Sequence, residues 1–413
     1  MNKNFLALGL AAALLAPQVA GAEGFAINEW SAEGVAMGGA RMFAEDDAAN
    51  VAYNPASITK VKGEVMKSSY TYLSPHGNYK LYDSNNDEIK GEPTHNKVHA
   101  GWAVGSYYVK QINDKEWFGI GAFPRFAMVS EFERESNASS NAFFSKLNGV
   151  SVTPTYAHKF DKKWSAAVGA EINYVGLELQ KNSYDPRVQM NVGATQTEGE
   201  SYALGWNAAA NYAFDDKNEI GVVYRSRITH SLEADFKMYP ASGGKITADA
   251  YGVVTLPDSW DIGYNHKFDK KTRLELKATR TNWSTYDALN IYFDKPVFGK
   301  PNALSDKNWE NGWRYAIGLE HNLSDKYTVM AGFAFDESSI PYNGGDFMVP
   351  TGLRRTYSIG ARYNDKKQTV AVALGWMDVG NLDFAGHATD AYKSAHAYDS
   401  FTKIASISYQ RKF

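Results

Sequence analysis

From Val61 to the end of the chain, apolar and polar residues alternate in short runs separated by turns. In Tyr357-Ser358-Ile359-Gly360-Ala361-Arg362-Tyr363 the apolar side chains share one parity, and Ser358, Gly360 and Arg362 share the other. Val370, Val372, Leu374 and Trp376 alternate with Ala371, Ala373 and Gly375, and Trp313, Tyr315, Ile317 and Leu319 alternate with Arg314, Ala316, Gly318 and Glu320. A period of two marks a strand with one apolar face. Six turns, at residues 111–117, 160–164, 214–219, 268–272, 323–327 and 363–368, are short and rich in Asp, Asn and Lys. Asp and Asn bond to their own backbone and tolerate the dihedral angles of tight hairpins. Between them lie long polar stretches, such as 74–95, 133–147, 182–200, 288–307 and 336–352, which read as irregular loops. With both chain ends on the short-turn side, six short turns require seven long loops and therefore fourteen strands. Short turns at one end and long loops at the other are the asymmetry of an outer-membrane barrel. Trp117, Trp164 and Tyr327 directly follow three of the turns, which places them in an interfacial aromatic belt.

The stretch 23–60 breaks the pattern. It is rich in Ala and Gly, carries the acidic pair Asp46 and Asp47, and ends in Asn54-Pro55-Ala56 before the first strand. A barrel over 61–413 is complete without it, so it is expected to fill the lumen as a hatch. Ahead of it, Lys3, an apolar run over residues 5–16, Pro17 and Ala20-Gly21-Ala22 read as a signal peptide spanning 1–22. That run of about 12 residues is too short to cross a bilayer, and no later stretch approaches the roughly 20 apolar residues of a spanning helix. The expectation is an all-β, fourteen-stranded antiparallel transmembrane barrel with an N-terminal hatch, divided as 1–22, 23–60 and 61–413.

Composition narrows the function. Aromatics reach 14% while mean hydropathy stays at -0.43, which suits strands that are apolar on one face only. A net charge of -3 gives no reason to expect nucleic acid. The absence of cysteine fits export to an oxidising compartment. The nine histidines show no HExxH spacing and there is no GxSxG elbow, so neither an enzyme nor a cofactor or metal is expected. Asp46 and Asp47 read as structural partners of lumen arginines, because no further ligand is spaced for a metal. The last strand, ending Tyr409-Gln410-Arg411-Lys412-Phe413, resembles the signal read by outer-membrane assembly machinery.

Gly24-Phe25-Ala26-Ile27-Asn28-Glu29, Asp46-Asp47-Ala48-Ala49-Asn50-Val51 and Asn54-Pro55-Ala56 carry a resemblance, supported by Tyr224-Arg225-Ser226, Leu256-Pro257-Asp258-Ser259-Trp260 and Phe333-Ala334-Phe335-Asp336. Together they resemble the long-chain fatty acid transporter family (FadL/TodX-like) of Gram-negative outer membranes, over essentially the whole mature chain. The resemblance implies a monomeric fourteen-stranded barrel with an N-terminal hatch, taking up long-chain fatty acids in one branch and aromatic hydrocarbons in another. An outer-membrane hydrolase and an adhesin barrel are the other readings. Surrounding partners are outer-membrane lipid and lipopolysaccharide.

A transporter of greasy molecules needs a collecting surface, a lumen pocket and an exit. Release sideways into the bilayer avoids solvating the chain, which costs roughly 0.8 kcal/mol per CH₂. Pro124 in the third strand cannot donate a ladder hydrogen bond, and Gly119 and Gly121 read as weakening the pairing beside it. The family has a kink in the corresponding strand that opens the wall; a plain bulge is the other reading. For a ligand carboxylate the candidates are Arg125, beside the kink, and Lys181, where the resemblance implies a basic ligand-binding residue; Lys307 lies only near a second such position. Arg225, Arg227 and Arg314 have lumen parity. Residues 141–147, with Phe143, Phe144 and Leu147, read either as a short amphipathic helix at the mouth that collects ligand or as plain loop packing. The moving part of the hatch is placed at Gly24–Asn28.

Overall fold

The chain closes on itself as one antiparallel sheet. The computed structural model describes residues 24–91, 95–97, 100–297 and 299–413. The leader 1–22 and its cleavage point lie outside the described residues.

Fourteen strands circle the barrel. They begin with β1 (Glu64–Tyr82), β2 (Gly101–Gln111) and β3, which runs in two pieces, Glu116–Phe123 and Ala127–Glu131. Then come β4 (Phe144–Lys159), β5 (Trp164–Asp185) and β6 (Met190–Ala213). Four two-piece strands follow: β7 (Asn218–Arg225, Ile228–Pro240), β8 (Ile246–Leu256, Ser259–Lys267), β9 (Thr272–Thr281, Ala288–Val297) and β10 (Lys300–Asp306, Gly312–Asn322). The circuit ends with β11 (Tyr327–Asp336), β12 (Arg354–Asn364), β13 (Gln368–Val379, Leu382–Ala385) and β14 (Ser394–Lys412). β14 returns to pair with β1 from Val65↔Lys412 to Tyr82↔Ser394, which closes the ring.

All six short turns join the strand pairs that their spacing predicts. The long stretches differ from the expectation. Residues 182–200 and 288–307 are mostly strand, because β5 and β6 stay paired up to Asp185↔Met190 and the upper pieces of β9 and β10 form a hairpin. Paired strands satisfy their backbone groups outside the bilayer as well as inside it.

Trp164 packs on Tyr212 at the lower rim, and Tyr174 packs on Tyr202 ten positions higher along β5. Ten residues at roughly 3.3 Å each, on a strand tilted by about 40°, span about 25 Å, the height of an outer-membrane apolar band. Between the two aromatic pairs the outward side chains, such as Val168, Ile172 and Leu204, are exposed apolar residues. Trp164 and Tyr327 belong to the lower belt, but Trp117 does not. It points inward, buried, and its indole N–H donates to the Val61 carbonyl at 2.8 Å, while its neighbour Phe118 faces out.

Residues 24–60 lie inside the ring. α1 (Ala32–Ala36) is capped by Ser31, α2 (Asn50–Tyr53) follows, and Asn54 caps the 3₁₀ turn Pro55–Lys60 through its side-chain oxygen. Small side chains let backbone meet wall closely. A Cβ on Gly332 would lie 2.2 Å from Gly38 N, so the strand needs glycine where the hatch touches it.

Candidate ligand pocket, hatch contacts and wall window

The inward face of the barrel changes character with height. Low on β5 the inward residues are Ser165, Glu171 and Asn173; higher up they become Val175, Leu177 and Leu179. Leu147 of β4, Leu232 of β7, Val254 of β8 and Leu289 of β9 join them, with Met128 from the upper piece of β3. Together they enclose a narrow apolar slot whose floor is Phe25 of the hatch. The slot leaves about 10 Å³, room for a single water, so a chain-like ligand fits only when a wall of it moves.

Phe25 sits in an aromatic seat. Its ring meets Trp283 at 4.7 Å, Tyr286 at 5.5 Å, Trp309 at 5.7 Å and Phe126 at 6.1 Å, mostly edge-to-face. Gly24 is pinned above two tryptophans at a φ of +64°, where a Cβ would lie 2.5 Å from Trp309, and its carbonyl accepts from Arg354 at 2.9 Å. Asn28 is partly buried, and its carbonyl accepts from the Tyr53 hydroxyl.

Two lysines lie near the slot without lining it. Lys307, which sequence reasoning placed only near a ligand position, is buried and ion-paired with Asp346, beside the slot residues Tyr286 and Met348. Burial pulls its ammonium down, but Asp346 and Tyr286 outweigh it and its pKa is raised. Lys181 lies on the inward parity of Leu177 and Leu179, one turn of the pleat above them. Burial lowers its pKa, against the pull of Asp390 and alongside repulsion from Lys307. Each lysine thus already has a carboxylate acting on it, Asp346 on Lys307 and Asp390 on Lys181.

Arg125 is elsewhere. It sits below the slot, where both Glu171 oxygens take its guanidinium at 2.8 and 3.0 Å, and Ser151 donates to the same carboxylate at 2.6 Å. Its charge is committed to the wall. Arg225 and Arg314 are committed likewise, to Asp261 and Asp336, and each also donates to a hatch carbonyl. Arg227 has left the lumen: the break between the two pieces of β7 shifts the alternation, and its side chain is 59% exposed and paired with Asp258.

Residues 141–147 form no helix. A 3₁₀ turn occupies Asn137–Ser140, and β4 begins at Phe144, paired to Glu131 and Gln180. Leu147 points into the slot and Phe143 is buried under Arg134, but Phe144, of opposite parity, is turned away. Competition from two flanking strands overrides the amphipathic pattern.

The acidic pair has split roles. Asp47 joins Arg41 of the hatch at 2.9 Å and Lys67 of β1 at 2.9 Å, while Asp46 pairs with Lys412 at the lower rim. Lysines of the wall, with one hatch arginine, take the place of the lumen arginines expected. Asn54 donates to Asn211 of β6 at 2.7 Å, which in turn donates to Ser57. Pro55 and Ala56 are buried in the turn so fixed.

The wall is interrupted beside Pro124. On the β4 side, pairing stops at Phe123↔Ser151 and resumes at Ala127↔Asn148, one residue out of register, which is a bulge. On the β2 side it stops at Ser106↔Ala122, and among the described residues Gly101 to Gly105 have no ladder partner on β3. The upper limit is Lys97, whose N–H reaches the Glu131 carbonyl at 2.7 Å. A bulge on one side and a window on the other therefore occur together. Pro154 of β4 supplies a contrast: pairing to β5 skips it and resumes in the same register, and the wall stays closed.

Gly119 and Gly121 do not weaken this wall. Both are fully paired, to Val109 and Tyr107 on one side and Thr155 and Thr153 on the other. They make room for the hatch: a Cβ on Gly119 would lie 2.8 Å from Val51, and one on Gly121 would lie 3.0 Å from it. Gly119→Leu is therefore expected to overpack the lumen and destabilise the protein by about 1–3 kcal/mol. A stabilised variant in urea unfolding would return the glycines to the pairing role.

A closed strand ring with an outward apolar band, a filled lumen and an apolar slot define an outer-membrane β-barrel that handles hydrophobic solutes. The chain belongs to the outer membrane protein transport protein family (OMPP1/FadL/TodX), whose sequence profile matches residues 13–413. It is 24% identical over 413 residues to the long-chain fatty acid transport protein of Escherichia coli (strain K12), covering 90% of this chain and 91% of that one. Its fold matches a crystal structure of a Pseudomonas aeruginosa FadL homologue with a TM-score of 0.85 at 18% identity, over 94% of this chain and all of that one. The Pseudomonas putida toluene transporter TodX matches at 0.73 and 16% identity, over 95% of this chain and 100% of its own. The family is one of outer-membrane transporters of hydrophobic molecules, not of enzymes.

Proposed function

We propose that this protein takes up long-chain fatty acids across the outer membrane, and that the hatch tip and the wall window form the gate and exit. The observation that carries this reading is the slot itself: inward aliphatic residues from six strands, two lysines above and a displaceable aromatic residue below. Lys181 and Lys307 receive the carboxylate, with Lys307 exchanging Asp346 for the ligand. Leu147 and Leu177 line the alkyl chain, and Phe25 leaves its aromatic seat as the chain enters. The released molecule crosses the window into the bilayer, which spares it contact with water. Similarity to a fatty acid transport protein over nine-tenths of the chain supports the same substrate class.

Binding of oleate and of toluene to purified protein tests this. Lys307→Met is expected to raise the oleate Kd about tenfold or more, as for the loss of one charge-assisted hydrogen bond, and to leave toluene unchanged. Equal effects on both ligands would remove the carboxylate role. Uptake of aromatic hydrocarbons is the second reading, favoured by the seat of Trp283, Tyr286 and Trp309 around Phe25; tight toluene binding with weak oleate binding would select it.

A further inference from the structure

The six short turns are built alike, and the fold uses only part of what they carry. In turn 160–164 the Asp161 carboxylate accepts from Lys163 N at 2.7 Å and from Trp164 N at 2.8 Å. The Lys163 carbonyl then accepts from Ala213 N of the neighbouring strand at 2.9 Å. The other five turns repeat the scheme, with Asn113, Asp215, Asp269, Ser324 or Asp365 as the capping side chain. In every case the carbonyl tied to the neighbouring strand belongs to a lysine: Lys115, Lys163, Lys217, Lys271, Lys326 and Lys367.

The lysine's part in each of these bonds is made by its backbone, so almost any residue could close the turn. Yet all six closing residues are lysines, in a chain where Lys and Arg together are 43 of 413 residues. All six are exposed, and among the described residues none forms a side-chain ion pair. Three of the turns carry a second exposed lysine, Lys162, Lys270 or Lys366, where the other three have Asp114, Asp216 or Asp325. The two kinds alternate around the rim, so the uncompensated positive charge gathers at 160–164, 268–272 and 363–368.

Each of these double-lysine turns also has an apolar anchor on the lipid-facing side. Phe160 and Trp164 are exposed beside the first and Phe268 beside the second, and Tyr363 of the third packs on Tyr327 at 5.4 Å. The lysines therefore lie just past the lower aromatic belt, at the level of the periplasmic headgroups. The opposite rim is of the other sign: above Tyr174 and Tyr202 the outward groove is lined by Glu178, Glu198, Glu200, Glu233 and Asp235. Charge and anchors favour a lipid over a soluble acidic protein, because the rings continue the outward apolar band.

We propose that the turns 160–164, 268–272 and 363–368 are binding sites for anionic phospholipids of the periplasmic leaflet. The paired ammonium groups of each turn hold a headgroup phosphate, the backbone ties fix where the closing lysine starts, and the neighbouring rings pack on the acyl chains.

Electron spin resonance of spin-labelled phosphatidylglycerol and phosphatidylcholine, in bilayers containing the purified protein, measures how much of each lipid the barrel immobilises. Phosphatidylglycerol is expected to be preferred about fivefold at low salt, and less than about twofold in about 1 M NaCl, where screening is nearly complete. A variant with Lys162→Gln, Lys163→Gln, Lys270→Gln, Lys271→Gln, Lys366→Gln and Lys367→Gln keeps every backbone tie and is expected to lose the preference. Lys115→Gln/Lys217→Gln/Lys326→Gln, at the turns that also carry Asp, is expected to retain it. No preference in the unaltered protein overturns the proposal without any variant, and leaves the lysines to a soluble acidic partner. A preference that survives the first variant, or falls equally in the second, overturns the assignment to these three turns.

Discussion

Glu320→Leu is expected to destabilise the folded barrel by about 3–5 kcal/mol and to free the lower hatch from the wall. Glu320 of β10 accepts from three guanidinium groups, Arg41 of the hatch, Arg273 of β9 and Arg362 of β12, each at 3.0 Å. Around it the charges balance. Arg41 and Lys67 share Asp47, Lys67 also holds Glu33, and Arg273 holds Glu275, whose other oxygen accepts from Met42 N at 2.6 Å. Removing one carboxylate leaves three guanidinium groups, two of them buried, competing for the remainder. Breaking a buried network from one side costs far more than replacing it whole. The double variant Glu320→Leu/Arg362→Leu restores the charge balance and is expected to recover part of the loss, a coupling that a double-mutant cycle measures. Urea unfolding in micelles reports the stability, and single-channel conductance reports the hatch. A loss below about 1 kcal/mol, the range of an exposed pair, would show that the network holds nothing.

Strand number depends on local signals: Asp-Lys turns such as 268–272 and period-two runs such as 370–376 act over a few residues, and the structure follows them. Parity was harder. Along β5 the apolar side chains occupy even positions from Trp164 to Tyr174, then odd positions from Val175 to Leu179. That reversal marks where the strand leaves the bilayer and its inner face becomes the slot. It is readable in the sequence, but a barrel with a uniformly polar lumen leaves no place for it.

Other features depend on contacts distant in sequence. The Trp30 indole N–H donates to the Pro124 carbonyl 94 residues away, and nothing near either one announces the bond. Gly119 and Gly121 suggest a weak strand until Val51 is seen packed against them. Trp117 has the composition of a belt residue and the parity of a hatch contact, and only the register Gln111↔Trp117 decides between them. Lys307 lies beyond the hairpin of β9 and β10, so its position near the slot is set by a fold-back that ends at Asp346. Lys181 was found through the family resemblance, and its parity agrees with the leucines below it.

The largest effect on transport is expected from fixing the hatch tip to the wall. Ala26 and Phe126 face each other across an antiparallel bridge, flanked by Ile27 N to Arg125 O and Ala127 N to Phe25 O. That arrangement makes them a non-hydrogen-bonded pair, in which Cα atoms approach to about 4.5 Å and side chains lie closest. This falls within the Cα range that a disulfide spans. The chain has no cysteine of its own, so Ala26→Cys/Phe126→Cys forms one unambiguous bridge. Oxidised, it holds Phe25 in its aromatic seat and the hatch tip against the wall at Phe126. Oleate uptake is expected to fall at least about tenfold, because locking the resting state removes the transport-competent minority. A reductant is expected to restore uptake to the level of the never-oxidised double variant, which corrects for the lost Phe126 ring. Normal uptake by the fully cross-linked protein would mean that ligand passes a stationary tip, and that the slot empties by another path.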